Sequence, residues 1–493
     1  MGNSYLAFDF GAESGRAVRA HVRSGVLAID EVHRFPNDPV EYGGSFHWDV
    51  PRLWFEMRTA LAAAGDNDDM EIAGIGVDTW GVDYALLGEQ GELLQNPLHY
   101  RDPRNITAMN DVLGLISKQD IYEATGIQMM PINTLNQLYA ARQRTPRLLD
   151  AAERVLMIPD LFNYWLTGKA VCEFTIASTT QLVSPHTRTW ATSLMERLGI
   201  PAKIASPIVE PGSILGGLQR GISSGRALEG AKVIACGSHD TASAVAAITA
   251  RDDTAFISSG TWSLVGIEVD APVITAKALQ LNFSNEGGVD GTTRLLKNVM
   301  GLWMLQGCRR SWAAAGRKLS YEELMDAAGR EPGFGHLVDP DDLSFARPDD
   351  MPGAIDRFCN KTGQTAPPTP GAYTRTILDS LALKYRLVIR NLENLTERRL
   401  AHIRVIGGGS KNRLLNQFTA DATGKRVIAG PAEATALGNI AVQMMATGAV
   451  SSLKEARGII DRSFPAEVFE PHNCDQWDRH AGRFQQYCEP AYV

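Results

Sequence analysis

Short apolar runs along the chain end in clusters of glycine, serine, threonine and aspartate, and those ends mark the predicted elements. Tyr5 to Phe10 is apolar and β-prone, Gly11 to Gly15 has the composition of a turn, and Arg16 to Val22 resumes a strand, so the chain opens on a predicted hairpin. A helix is predicted over Leu53 to Ala64, between Asp49-Val50-Pro51 and Gly65. Ile72 to Val77 is a short strand that runs into Asp78-Thr79-Trp80-Gly81-Val82-Asp83. Residues 105 to 168 read as largely helical, with starts at Asn133-Thr134 and Pro159-Asp160. A strand over Lys232 to Cys236 breaks at Gly237-Ser238-His239-Asp240 and enters a helix over Thr241 to Ala247.

The opening pattern then recurs. Thr254 to Ser258 is a strand, Ser259-Gly260-Thr261 a turn and Trp262 to Val269 a strand, so Ala7-Phe8-Asp9-Phe10-Gly11 stands beside Ala255-Phe256-Ile257-Ser258-Ser259 at the start of each half. This sets a domain boundary near residues 248 to 253. A strand over Arg294 to Lys297, a helix over Val299 to Ala314 and a capping box from Ser320 to Glu323 follow. Residues 331 to 371, rich in Pro, Gly and Asp, read as surface loop. A helix near Tyr373 to Leu395, a strand over His402 to Ile406, Gly407-Gly408-Gly409, a helix from Lys411 to Ala422, a strand over Arg426 to Ala429 and a helix from Ala432 to Met445 close the core. Strands alternating with helices define the α/β class.

Composition narrows the function classes. At 493 residues and 44% hydrophobic, the chain exceeds one ordinary core. The net charge of −8 argues against broad binding to nucleic acid or anionic membrane, though a local phosphate site needs no global charge. No run of about 18 apolar residues exists to span a membrane, and Met1 to Leu6 lacks a basic n-region. Leu6 also breaks the myristoylation pattern that Met1-Gly2 begins. Cys172, Cys236, Cys308, Cys359, Cys474 and Cys488 are scattered, as expected of reduced thiols in a cytoplasmic protein.

Three turns carry candidate chemistry: Gly11-Ala12-Glu13-Ser14-Gly15-Arg16, Ser258-Ser259-Gly260-Thr261 and Gly407-Gly408-Gly409-Ser410. Glycine lets backbone N–H groups approach an anion, hydroxyls add donors, and Arg16 adds charge. Glu13 opposes a phosphate unless it points away. A Walker A motif is absent, because Thr423-Gly424-Lys425 lacks the upstream glycine. Gly221-Ile222-Ser223-Ser224-Gly225 matches GxSxG but follows no strand, so it is not a nucleophile elbow. Asp9, at a strand end, either caps its turn or holds Mg²⁺ through water. Asp240, at a strand-to-helix junction, is either a helix N-cap or a general base for a hydroxyl attacking phosphorus. The Trp80, Gly81 and two aspartates of residues 78 to 83 have the makings of a sugar site or of a core turn. Tyr100-Arg101-Asp102-Pro103-Arg104 is dense in charge, and a solvated salt-bridged loop explains it equally well.

Asp9 to Arg16 resembles the first phosphate motif of the FGGY carbohydrate kinases, of the actin, hexokinase and heat-shock-protein ATPase superfamily. Asp78 to Asp83, Tyr100-Arg101-Asp102, Gly237 to Val245, Ser258 to Leu264 and Leu296 to Trp303 are similar to its kinases of L-rhamnulose, in the same order from Ala7 to about Met445. The resemblance implies two actin-like (ribonuclease H-like) ATPase domains around a central cleft. These are a sugar-binding domain over residues 1 to 248, a nucleotide-binding domain over residues 249 to 475 and a tail over residues 476 to 493. It implies Asp240 as catalytic base; Gly81, His239, Asp240, Thr241 and Asn298 at the sugar; and Ala12, Glu13, Ser14, Gly15, Arg16, Thr261, Gln306 and Gly408 at ATP. Asp9 matches the position associated with Mg²⁺. The implied activity is ATP-dependent phosphorylation of L-rhamnulose at O1. A kinase for L-fuculose, L-xylulose or another ketose, and a nucleotide-gated sensor or chaperone-like ATPase on the same fold, are the alternatives. Nothing in the sequence distinguishes a monomer from a dimer.

Overall fold

The computed structural model describes residues 4–66, 71–222, 225–249, 253–346 and 348–488. Two mixed sheets share one plan. In the first, the order is Ser213–Gly217, Lys232–Ala235, Ile72–Thr79, Ser4–Phe10, Ser14–Arg23, Val26–Pro36. In the second it is Glu467–Phe469, Arg426–Ala429, His402–Ile406, Thr254–Ser259, Trp262–Val269, Thr293–Met300, with Ser284–Gly287 added at the edge. Each opens on an antiparallel hairpin whose first strand lies parallel to a later, central strand. The repeat read from the two hairpins is therefore a repeat of whole sheets.

Residue type explains the central position of the opening strands. Tyr5, Leu6, Ala7, Phe8 and Phe10 are at most 1% exposed, so both faces of that strand are covered by apolar contacts. The crossover helix Val50–Gly65 begins where the Asp49 side chain accepts from the Arg52 backbone N–H at 3.1 Å. It buries Leu53, Met57, Ala60, Leu61 and Ala64.

Two helices tie the halves together: Asp240–Ala246 from the first and Ala434–Ala446 from the second. A Cβ added at Gly438 would collide with the Ser243 carbonyl oxygen, so the crossing needs a glycine there. Helix Ala434–Ala446 also reaches the first sheet, where Gln443 Nε2 donates to the Leu6 carbonyl at 3.1 Å and Asn439 Nδ2 to Asp78 at 2.6 Å.

Several expectations need correction. Val299 and Met300 belong to strand Thr293–Met300, where Val299 is fully buried; the helix starts only at Trp303, after Gly301. Residues 331 to 371 hold helix Met351–Lys361, capped by Asp350. Its apolar stripe (Met351, Ala354, Ile355, Phe358, Cys359) has helical spacing within a Pro- and Gly-rich stretch. Residues 105 to 168 also include strand Arg154–Met157 between their helices. The segment set apart as a tail overlaps helix Cys474–Tyr487, whose Trp477 and Phe484 are 2% exposed within the core of the second half. Ser223 and Ser224 of the GxSxG match, and residues 250–252 at the boundary, lie outside the described residues.

Candidate active site

A cleft of about 660 Å³ lies between the two sheets and takes its walls from both. All three candidate turns line it, through Gly11 to Ser14 and Arg16, Ser258 to Thr261, and Gly407 to Gly409. Gly81, His239, Asp240, Thr241, Asn298, Gln306 and Asp9 line it as well. Gly15 is set back from the surface, because a Cβ there would meet the Phe35 ring. Gly407 has φ +79°, and a Cβ on Gly409 would collide with Ser259 Oγ. Glycine thus lets the third turn lie against the second.

The first turn is charged. Arg16 donates to Asp9 Oδ2 from Nε at 3.0 Å and from Nη2 at 2.7 Å, and it also pairs with Glu433 at the start of helix Ala434–Ala446. Burial opposes the charge on Arg16, but the two carboxylates outweigh it and its pKa is raised. Glu13, the awkward carboxylate of the sequence, points across the cleft and accepts from Gln306 Nε2 at 3.2 Å. The second and third turns present backbone groups and hydroxyls, with Lys411 at the rim.

Asp240 is the first residue of its helix and projects into the cleft with its side chain 32% exposed. The loop that aims it is held from behind by Glu173, which is fully buried. Glu173 accepts from the Ser238 N–H at 3.1 Å and from Thr175 Oγ1 at 2.5 Å, and Thr175 Oγ1 accepts from the His239 N–H at 3.2 Å. Burial pushes the Glu173 pKa up to about 7. Asp240 lies 3.4 Å from His239 Nε2 and accepts from Thr241 Oγ1 at 3.0 Å. Burial and the nearby Asp9 raise its pKa, and His239 opposes them. A carboxylate in the cleft with a raised pKa suits general-base work near neutrality.

The aspartates of residues 78 to 83 do not line the cleft; both are fully buried. Asp83 accepts from Trp48 Nε1 at 2.5 Å, Trp80 Nε1 at 2.9 Å and Gln137 Nε2 at 2.9 Å. It fixes an aromatic wall in which the Trp48 and Trp80 ring centroids are 4.1 Å apart, and Trp80 lines the cleft. Burial pushes the Asp83 pKa up to about 7. Asp78 is buried behind Asp9, which it faces in the parallel strand pair. Its Oδ2 accepts from Asn439, and its Oδ1 has no hydrogen-bond partner. Arg101 is a strut between the halves: it stacks 3.9 Å from the Trp303 centroid and donates to the Ala346 carbonyl at 2.9 Å.

Among the described residues, no three His, Cys, Asp or Glu side chains converge to hold a metal by themselves. Sequence reading missed Glu173, Glu286, Arg294 and Glu433. Each gains its place through contacts distant in sequence and sits in no local motif. The alternation Phe283-Ser284-Asn285-Glu286 was the one local signal, putting a carboxylate on the face opposite Phe283 and Asn285.

The chain is similar to known proteins in sequence and in fold. The chain is 45% identical to the rhamnulokinase of Bacteroides thetaiotaomicron over 479 residues, covering 97% of this chain and 98% of that protein. It is 42% identical to the rhamnulokinase of Oceanobacillus iheyensis, covering 93% and 96%. The gluconate kinase of Lactobacillus acidophilus superposes with a TM-score of 0.81 at 18% identity, covering 99% of this chain and 97% of that one. The glycerol kinase of Plasmodium falciparum, solved with ADP, superposes at 0.77 and 16% identity, covering 100% and 99%. The shared fold is the pair of actin-like α/β domains around a cleft. Residues 4–247 match the N-terminal domain of one family and residues 255–447 its C-terminal domain, so the chain belongs to the FGGY family of carbohydrate kinases.

Proposed function

We propose that this kinase transfers the γ-phosphoryl group of ATP to O1 of L-rhamnulose, giving L-rhamnulose 1-phosphate and ADP, as a cytoplasmic step of L-rhamnose breakdown. Identity of 39–45% to rhamnulokinases over nearly the whole chain carries the choice of sugar. The six free cysteines suit a reducing compartment, and among the described residues no helix is long and apolar enough to cross a membrane.

In this reading, residues 1–248 form the sugar domain and residues 249–475 most of the nucleotide domain. Gly81, His239, Thr241 and Asn298 hold the sugar so that O1 meets Asp240, which takes the hydroxyl proton as O1 attacks phosphorus. Thr79, whose N–H donates to the Ser238 carbonyl at 2.9 Å, and Glu173 keep the Asp240 loop in place. Ala12 to Arg16, Thr261, Gln306 and Gly408 surround the ATP phosphates with N–H, amide and guanidinium donors. Arg16 gives up part of its pairing with Glu433 for a phosphate oxygen.

Mg²⁺ fits the hollow. Asp9 and Asp240 both line the cleft and Asp9 helps raise the Asp240 pKa, so the two carboxylates make that end of the cleft negative, while Asp78 Oδ1, buried behind Asp9, has no hydrogen-bond partner. Asp9 would hold the hydrated ion jointly with the phosphates, as Mg²⁺ prefers. The ion supplies charge neutralisation on the transferring group. The test is ADP release from Mg²⁺·ATP with L-rhamnulose, L-fuculose, L-xylulose, D-xylulose and glycerol. Preference for L-rhamnulose is expected; preference for another ketose reassigns the sugar, and no sugar-stimulated release removes the kinase reading.

A further inference from the structure

The second half also contributes a wall to the proposed sugar pocket. In strands Ser284–Gly287 and Thr293–Met300 the register pairs Glu286 with Arg294. The period of two turns Ser284, Glu286 and Asn298 toward the cleft, and all three line it. Glu286 is 4% exposed and Arg294 fully buried. Glu286 Oε2 lies 3.2 Å from His239 Nδ1 and 3.2 Å from Arg294 Nη2. Neither contact is aligned as a hydrogen bond, and this oxygen has no hydrogen-bond partner. Burial would raise the Glu286 pKa, but His239, Arg294 and Asn298 outweigh it, lower the pKa and hold the group charged. A buried, charged oxygen whose neighbours attract it without a well-aligned donor gains from a further hydrogen bond. The opposite face of His239 meets Asp240 at 3.4 Å, so Glu286 stands one imidazole ring away from the proposed base.

We infer that Glu286 accepts a hydrogen bond from a sugar hydroxyl other than the one phosphorylated, and so selects which ketose presents its reactive oxygen to Asp240. This rests on the sugar-kinase reading of the cleft. A hydroxyl donating to a charged acceptor contributes about 1.5–3 kcal/mol, which corresponds to about 10- to 150-fold in kcat/KM. A site built around such an acceptor also rejects substrates that leave it unpaired.

The experiment measures kcat/KM for L-rhamnulose and for its analogues deoxygenated in turn at C3, C4 and C5, on the wild-type enzyme and on Glu286→Gln, with ADP affinity as the control for an intact cleft. The wild type is expected to lose about 10- to 150-fold at one position, and Glu286→Gln to lose less than about fivefold there while keeping its sensitivity at the other two. The variant's loss on L-rhamnulose is expected mainly in KM. Equal position-by-position losses in wild type and variant would overturn the inference. If Glu286→Gln fails to bind ADP, Glu286→Asp replaces it: weakened discrimination at one position supports the assignment, and unchanged discrimination at all three overturns it. A wild type inactive on L-rhamnulose but active on another ketose corrects the substrate alone, and the same comparison is then run on deoxy analogues of that ketose.

Discussion

The two halves of this kinase share one sheet plan yet differ in chemistry at equivalent places. The first hairpin turn holds Asp9, Glu13 and Arg16; the second, Ser258 to Thr261, holds no charge. After the strand flanking the central parallel pair, the first half runs Ser238-His239-Asp240-Thr241 into its helix, and the second runs Ala432-Glu433-Ala434-Thr435. The carboxylate at the first junction points into the cleft, whereas Glu433 at the second pairs with Arg16 of the opposite half. The shared plan gives two anion-ready turns and two helix starts that border the cleft. The two halves therefore place their charge differently: the first supplies the carboxylate that faces the cleft and the one arginine of the two turns, and the Glu433 of the second is tied to that arginine.

The largest effect should come at the junction. Asp240→Asn is expected to lower turnover about 10²- to 10⁴-fold with ADP affinity retained, and adding Ala434→Asp should restore nothing, as steady-state kinetics and calorimetry can check. Near-normal turnover in Asp240→Asn would remove it from the mechanism. The turns come next: Arg16→Gln should weaken kcat/KM for ATP about 10- to 100-fold and Thr261→Val only about 2- to 10-fold, since charge-assisted hydrogen bonds exceed neutral ones. Equal losses would mean that the two turns share the phosphates evenly. Gly438→Ala forces the two connecting helices apart and should cost about 1–3 kcal/mol in urea unfolding; an unchanged midpoint would show that the crossing can relax.

The smallest effect is a slope. Asp83 rises from 3.8 to about 7 on folding, so between about pH 4 and pH 7 the unfolded chain has lost a proton that the folded protein keeps. Stability attributable to Asp83 therefore falls as pH rises through that window, by no more than about 1.4 kcal/mol per unit. Asp83→Asn keeps an acceptor for the two indoles without ionising, so the wild type should lose ground to it from pH 4 to 7. A parallel pair of stability curves would show that Asp83 does not titrate there.

Much of this was legible locally. The hairpins, the strand-end glycines and the strand-to-helix break at Asp240 were readable because a tight turn, a close backbone approach and a helix start each demand particular residues at adjacent positions. Residues 78 to 83 stayed open between a sugar site and a core turn, because only contacts far away in the chain decide it: the indole N–H of Trp48 and the amide of Asn439 claim the two aspartates, while Trp80 and Gly81 line the cleft. Helix Met351–Lys361 was hidden because its flanking prolines and glycines outweighed its apolar stripe.

The sequence by itself determined the α/β alternation, the two hairpin starts and the residue types able to bind phosphate and accept a proton, since each depends on neighbours within a few positions. Only the tertiary structure decided which carboxylates are free to act. Asp240 remains open to the cleft and Glu286 keeps an unpaired oxygen there, while Asp83 and Glu173 are bound by internal donors and Arg16 is shared between Asp9 and Glu433. That allocation depends on which donor from a distant strand or helix reaches each oxygen, a matter of packing that no local pattern records.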